Sequence, residues 1–229
     1  MISIIIPTYN EAESISHLIN YLRKNTAPSV AEIIVSDGGS ADNTLQIAQQ
    51  AGAKAVLSPK KGRAAQMNYG ASMATGNILY FIHADTLPPT TFANDIEQAV
   101  TEGYGLGRYR TKFNSNKSIL KINAFFTRFD WFICYGGDQT LFITKELFTQ
   151  AGGFNGDMLI MEDYEIVVRA RQKTKYKIFA KAALISARKY ETNSWLTVQL
   201  ANRKIVKMYK SGASQTDMEK KYKEMLVYR

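Results

Sequence analysis

Through the first hundred residues, short apolar runs alternate with stretches of helical periodicity. "ISIII" (2–6), "EIIVS" (32–36), "AVLS" (55–58) and "ILYFI" (78–82) read as strands buried on both faces. Ile15, Leu18, Ile19 and Leu22 share one face of a helix expected over residues 11–24. Further helices are expected over 42–51, 63–74 and 90–100, with Gly52 and Gly76 as stops. Strand, helix, strand at this spacing predicts right-handed crossovers and an α/β fold with a mostly parallel central sheet flanked by helices.

After residue 105 the pattern changes. "GLGRYRTKF" (105–113) and "TLFIT" (140–144) alternate like strands, while the aromatic-rich stretch 116–135 and residues 162–173 read as helices. The tail from Ser194 reads as two helices broken near Gly212. No repeat or low-complexity segment interrupts the chain. The expected organisation is a domain over 1–193, with a nucleotide-binding part to about residue 105 and an acceptor part over 106–193, followed by a helical extension over 194–229.

Parallel α/β sheets bind ligands beyond the carboxyl ends of their strands. Those ends are "PTYNE" (7–11), "DGGSADNT" (37–44), "PKKGRAAQ" (59–66) and "HADT" (83–86), all polar or glycine-rich. Two readings stand for each. Asp37 with two glycines makes a tight turn before a capped helix, or presents a carboxylate to a nucleobase. Lys60, Lys61 and Arg63 are solvated cations, or a phosphate site at a helix N-terminus. Strand alternation would put His83 and Asp85 on one face. There Asp85 either starts a helix or helps a diphosphate hold Mg²⁺ or Mn²⁺. Glu162 and Asp163 suit a helix start through the dipole, and one of them suits proton abstraction from a hydroxyl.

Composition narrows the class. The chain has 229 residues, 45% hydrophobic and 21% charged, as ordinary globular domains have. No run is long and apolar enough for a membrane-spanning helix. Cys134 is the single cysteine, which excludes an intramolecular disulfide and a multi-cysteine metal site. With no basic leader before "ISIIIPTYN", a cytoplasmic setting is expected. The net charge of +9 is uneven: −2 over 1–100, +6 over 101–199 and +5 over 200–229. A basic rear half could meet phosphates, an anionic membrane or nucleic acid. No nucleic-acid motif accompanies it, so nucleic acid ranks last.

Taken together, "IIIPTYNE" (4–11), "VSDGGSADNT" (35–44), "GRAAQMNYG" (62–70), "FIHADT" (81–86), "GGDQ" (136–139) and "MED" (161–163) resemble the family 2 glycosyltransferases, in family order and over about residues 1–190. "HADT" and "GRxxQMNxG" also resemble a bacterial subgroup of that family. The resemblance implies the Rossmann-like GT-A fold and an inverting transferase that uses a nucleotide-diphosphate sugar, most often of uridine. It implies that Pro7, Thr8, Tyr9, Glu11 and Asp37 hold base and ribose. It also implies that the Asp-x-Asp position, here His83, Ala84 and Asp85, meets the diphosphate through a divalent metal on Asp85. The base carries over to Asp163, with Glu162 as second choice. Lys61 or Arg63 would stabilise the leaving diphosphate, and Arg188 is a weaker phosphate counterpart. Asp138 and Gln139 would face a sugar or lipid-linked acceptor. The Gln-x-x-Arg-Trp element of processive members is absent, which implies transfer of one sugar.

In the tail, Val198, Ala201, Ile205, Met208 and Tyr209 share one helical face, with Arg203, Lys207 and Lys210 on another. Peripheral binding to the inner face of a membrane stands beside plain packing of that stripe on the domain. The aromatics Phe125, Phe126, Phe129, Trp131 and Phe132 are expected in a core or an acceptor pocket. The rival function is a nucleotide-sugar-binding protein with little or no catalysis.

Overall fold

The computed structural model describes residues 1–135 and 139–227. The first apolar run forms strand β1 (Ile2–Thr8), followed by helix α1 (Ile15–Lys24). Next come β2 (Val30–Asp37), α2 (Thr44–Gln50), β3 (Lys54–Leu57), α3 (Arg63–Ser72) and β4 (Ile78–Phe81). The second half contains β5 (Thr86–Leu87), α4 (Phe92–Thr101), β6 (Tyr104–Asn114), α5 (Ile119–Phe126), β7 (Leu141–Thr144) and α6 (Lys145–Gln150). After α7 (Glu162–Ala170) and β8 (Lys175–Ser186) the chain ends in α8 (Lys189–Thr192), α9 (Trp195–Lys210) and α10 (Gln215–Met225).

One eight-stranded sheet runs in the order β3-β2-β1-β4-β7-β6-β8-β5. The four strands read from the front of the chain pair in parallel, as expected. The rest is mixed: β7 is antiparallel to both β4 and β6, β8 is parallel to β6, and β5 is antiparallel to β8. All seven residues of β1 are buried, and alternation sends them to two separate cores. Ile2, Ile4 and Ile6 pack with Leu18, Leu22, Phe92 and Ile96 of α1 and α4. Ile5 packs on the other face with Met67, Ala71, Phe148 and Ile166 of α3, α6 and α7. On that second face α3 comes so close to β1 that a Cβ at Gly70 would lie 2.6 Å from the Ile5 Cγ2.

Three expectations are corrected. The stretch 116–135 is not one helix: α5 stops at Phe126, and a 3₁₀ turn (Phe132–Cys134) follows. Of its aromatics Phe132 packs against the core, whereas Phe125, Phe126 and Trp131 are exposed. Strand β8 was not expected at all. In the tail, Gly212 breaks the helices with φ +73°, and the α9 stripe turns inward. Val198, Ala201 and Ile205 are buried against Leu120, Tyr190, Met158 and Met218, with Met208 and Tyr209 partly buried beside them. Among the described residues no helix is long and apolar enough to cross a membrane.

Glu32 staples the start of the sheet. Its Oε1 accepts from the Ser3 hydroxyl (2.8 Å) and from the Thr75 amide and hydroxyl (2.6 Å each), and Lys54 Nζ lies 3.9 Å from Oε2. Partial burial pushes this carboxyl up, but the donors outweigh it and hold it below its ordinary value. A lowered folded value gives stability that is present above the unfolded value and lost as pH falls through the folded one. Glu32→Gln should therefore cost about 1 kcal/mol at neutral pH, after allowance for solvent screening. Thermal unfolding should show a gap between variant and parent that closes below about pH 4.

Candidate functional site

The strand order reverses at β1, which has β2 on one side and β4 on the other. At such a switch point the loops leaving the two strands diverge and open a crevice. A pocket of about 200 Å³ lies there. It is lined by Pro7, Thr8, Tyr9 and Glu11 after β1, Arg63 and Gln66 of α3, His83, Ala84 and Asp85 after β4, and Arg188. Three of the four segments expected at the rim therefore line it, with one residue from the far end of the domain.

The loop after β1 is held by its own polar groups. Asn10 has φ +55°, a conformation that Asn tolerates better than most residues. Its amide donates to Ser40 Oγ (2.8 Å), and its Oδ1 accepts from the Ala41 amide (2.8 Å). Asp37 lies beneath this loop, 1% exposed and outside the pocket lining. Its oxygens accept from the Thr8 hydroxyl and from the amides of Gly39 and Ser40, all at 2.8–2.9 Å. In this structure Asp37 thus organises the turn that shapes the pocket wall. Gln66, absent from the expected set, reaches the same place from α3. Its Nε2 donates to the carbonyls of Thr8 (2.6 Å) and Ser36 (3.0 Å). Its buried side chain also explains Gly38, where a Cβ would stand 3.0 Å from the amide.

The chain leaves the sheet after Phe81, and the amide of Thr86 closes a turn on the carbonyl of His83 (3.1 Å). His83 and Asp85 share the pocket through that turn, not through strand alternation as expected. Asp85 Oδ2 lies 3.5 Å from an Arg188 guanidinium nitrogen, which also donates to Glu11 Oε1 at 3.1 Å. Arg188 therefore bridges the two carboxylates of the mouth.

Met161 enters α7 with φ +68°, and with Asn10 it makes up the non-glycine residues of positive φ among those described. Both flank the pocket, where such strain persists only if its surroundings enforce it. The turn delivers Glu162 and Asp163 to a helix N-terminus, whose dipole favours them. Glu162 is 1% exposed, with Oε1 2.7 Å from Arg63 Nε. Among the described residues neither Glu162 oxygen has an aligned hydrogen bond, so the pair with Arg63 is held chiefly by charge. Asp163 keeps some exposure, with Oδ2 3.9 Å from His83 Nε2.

Other expected residues fall elsewhere. Lys61 is exposed beside Gly39, outside the pocket lining. The Gln139 side chain donates to the Cys134 carbonyl (2.9 Å), and Asp138 lies outside the described residues. Among the described residues no three His, Cys, Asp or Glu side chains converge as a metal cage. The pocket does contain Asp85, a carboxylate of the kind that holds Mg²⁺ or Mn²⁺ together with phosphate oxygens and water. The residues fit an ion carried mainly by its nucleotide.

The fold is that of GT-A glycosyltransferases, as solved structures show. Residues 1–349 of S. aureus TarS match with a TM-score of 0.68 at 17% identity, over 98% of this chain and 70% of that one. Glucosyl-3-phosphoglycerate synthase from Mycobacterium tuberculosis, solved with Mn²⁺, uridine-diphosphate and phosphoglyceric acid, matches at 0.66 and 17% identity over 93% and 79%. Glycosyltransferase AglE of Haloferax volcanii is 36% identical over 94 residues, covering 38% of this chain and 31% of AglE. The first curated relatives are matched over about a third of their own length. The family model for glycosyl transferase family 2 matches residues 3–156. The chain belongs to that family.

Gln66→Leu removes two buried hydrogen bonds, to the carbonyls of Ser36 and of Thr8, the latter keeping the Gly38 amide, and should cost about 2 kcal/mol in urea unfolding. A loss below about 0.5 kcal/mol would mean that water replaces the amide at no cost.

Proposed function

We propose that the pocket at the β1/β4 switch point holds a nucleotide-diphosphate sugar, and that the enzyme moves its sugar, with inversion, onto an acceptor hydroxyl. The observation that carries this is the meeting of Tyr9, Glu11, Arg63, Asp85 and Arg188 at one crevice, with Asp163 tied to it through His83. Pro7, Thr8 and Tyr9 form the wall for the base, and Asp37 serves that wall by fixing the turn behind it. UDP is the favoured nucleotide: S. aureus TarS was solved with UDP-GlcNAc, and the mycobacterial synthase with uridine-diphosphate.

Asp163 is the stronger candidate base. Glu162 is enclosed and already neutralised by Arg63, whereas Asp163 retains access and a looser partner. As the acceptor oxygen attacks the anomeric carbon, Asp163 takes its proton. The bond from that carbon to the diphosphate breaks on the opposite face, and the electron pair leaves with the diphosphate. Arg63 and Arg188, with Lys61 at the outer edge, answer the charge that develops there. Asp85, beside His83, would hold a divalent ion. When bound, such an ion neutralises diphosphate charge. The acceptor is a sugar or a lipid-linked saccharide, with Gln139 and, from the sequence, Asp138 as its candidate partners, and the expected setting is cytoplasmic.

Calorimetric titration with UDP, GDP, CDP, dTDP and ADP, with and without Mn²⁺, tests the donor site. One diphosphate should bind, more tightly with the ion, and Asp85→Asn should abolish the gain from the ion. Asp163→Asn should keep that affinity while turnover falls by about 10²–10⁴-fold. Turnover that survives in Asp163→Asn removes it as the base, and absence of all nucleotide binding leaves only the fold.

A further inference from the structure

Helix α5 is apolar on both of its faces. Leu120 and Thr127 turn inward, with Leu120 in the cluster that includes Val198 and Tyr190. The opposite face presents Ile119, Ile122, Phe125 and Phe126, spaced so that they run along one side of the helix. Phe129 and Trp131 extend this face beyond the helix. The Trp131 ring stacks on Phe129 at 4.5 Å between centroids, and Phe126 lies 6.1 Å from Trp131. Exposure runs from 37% at Ile119 to 51% at Trp131, with Phe129 half-buried under the Trp131 ring, so this is a continuous apolar surface facing solvent.

Its charge is one-sided. Between Glu102 and Asp130 the sequence contains no acidic residue, while Lys112, Lys117, Lys121 and Arg128 are exposed. The Arg128 guanidinium lies 3.9 Å over the Phe125 ring. Asp130 is already taken by Arg171, which donates to both of its oxygens at 2.6–2.8 Å, and by the Tyr135 hydroxyl. Among the described residues no carboxylate pairs with Lys112, Lys121 or Arg128. A second copy of this face would bring like charges together. An anionic surface into which rings can sink answers both features at once.

We propose that the exposed face of α5 and the loop to Trp131 is a docking surface for an anionic lipid bilayer, with the rings seated among the acyl chains and Lys121 and Arg128 at the headgroups. The membrane side is thereby assigned to α5, since the apolar stripe of α9 is spent on internal packing. The surface shares no residue with the donor pocket, so its test is independent of the transfer reading.

The whole chain is mixed with phosphatidylcholine vesicles with or without phosphatidylglycerol, at low and raised salt. Trp131 and Trp195 are the two tryptophans, and Trp195 is tied by Nε1 to Asn123 (3.0 Å), so an emission shift on binding reports Trp131. The expected result is co-sedimentation that requires phosphatidylglycerol, weakens with salt and shifts the emission to the blue. Trp131→Phe should remove the shift and keep most of the sedimentation. The double variant F125S/F126S should weaken partitioning by about tenfold or more, and K121E/R128E by about tenfold. All four positions are exposed, so unchanged circular dichroism is expected of both. The proposal is overturned if phosphatidylglycerol vesicles do not bind, or if F125S/F126S binds like the parent. A dimer in sedimentation velocity that F125S/F126S dissociates, without vesicle binding, equally overturns it by assigning the face to a second copy.

Discussion

Two backbone carbonyls, those of Thr8 and Ser36, lie where neighbouring parallel strands approach their ends. A single buried amide, that of Gln66, donates to both, and Thr8 also accepts from the Gly38 amide. The rest of the rim follows from that arrangement. Gln66 sits one turn into α3, so satisfying it fixes the helix start, and with it Arg63, against the two strands. The Asp37 turn and the Asn10 loop then close over this base through short hydrogen bonds. Side chains in the pocket wall are placed by buried polar groups, Gln66 within the lining and Asp37 behind it.

A second layer of constraint is electrostatic, and it joins distant parts of the chain. Arg63 meets Glu162, His83 meets Asp163, and Arg188 meets Glu11 and Asp85. Each contact links a nucleotide-side residue to one from the second half. The Arg188 pairs, open to solvent on the arginine side, contribute little to stability, but such contacts set where cations stand before a ligand arrives. A diphosphate entering the pocket would compete with Glu11 and Asp85 for Arg188. An ion on Asp85 would loosen the same contact. The bridge is therefore better understood as a placement of charge than as a brace.

The front of the sheet could be read because β1, β2 and β4 are buried on both faces, which forces near-continuous apolar runs. Strand β8 could not. Its register against β6 slips between Tyr109 and Arg110, whose partners are Phe179 and Ala182, and the bulge breaks the two-residue period. Its lysines at 175, 177 and 181 also resemble a solvated segment. Helix α5 misled differently: apolar on both sides, it gave no pattern to say which side faces inward. In the site, most rim residues were legible from strand ends and motif order. Gln66 was not chosen, although "GRAAQ" contained it, because its role depends on carbonyls that only the folded strand ends present. Lys61 and Asp37 were legible as types, but not as positions just outside the pocket wall.

The imidazole at His83 gains a physical reason from its neighbour. An acidic residue at that place would set a second carboxylate near Asp163, and like charges at that range push one of the pair toward protonation. A base must stay ionised to accept a proton. On the proposed assignment, histidine would leave Asp85 as the carboxylate for the donor side and give Asp163 a partner of neutral or opposite charge. Acid–base work and phosphate work would then fall on separate carboxylates, and the turn from His83 to Thr86 presents His83 and Asp85 to the crevice. The departure from two aspartates would in that case follow from how close Asp163 stands to the loop after β4, 3.9 Å from His83.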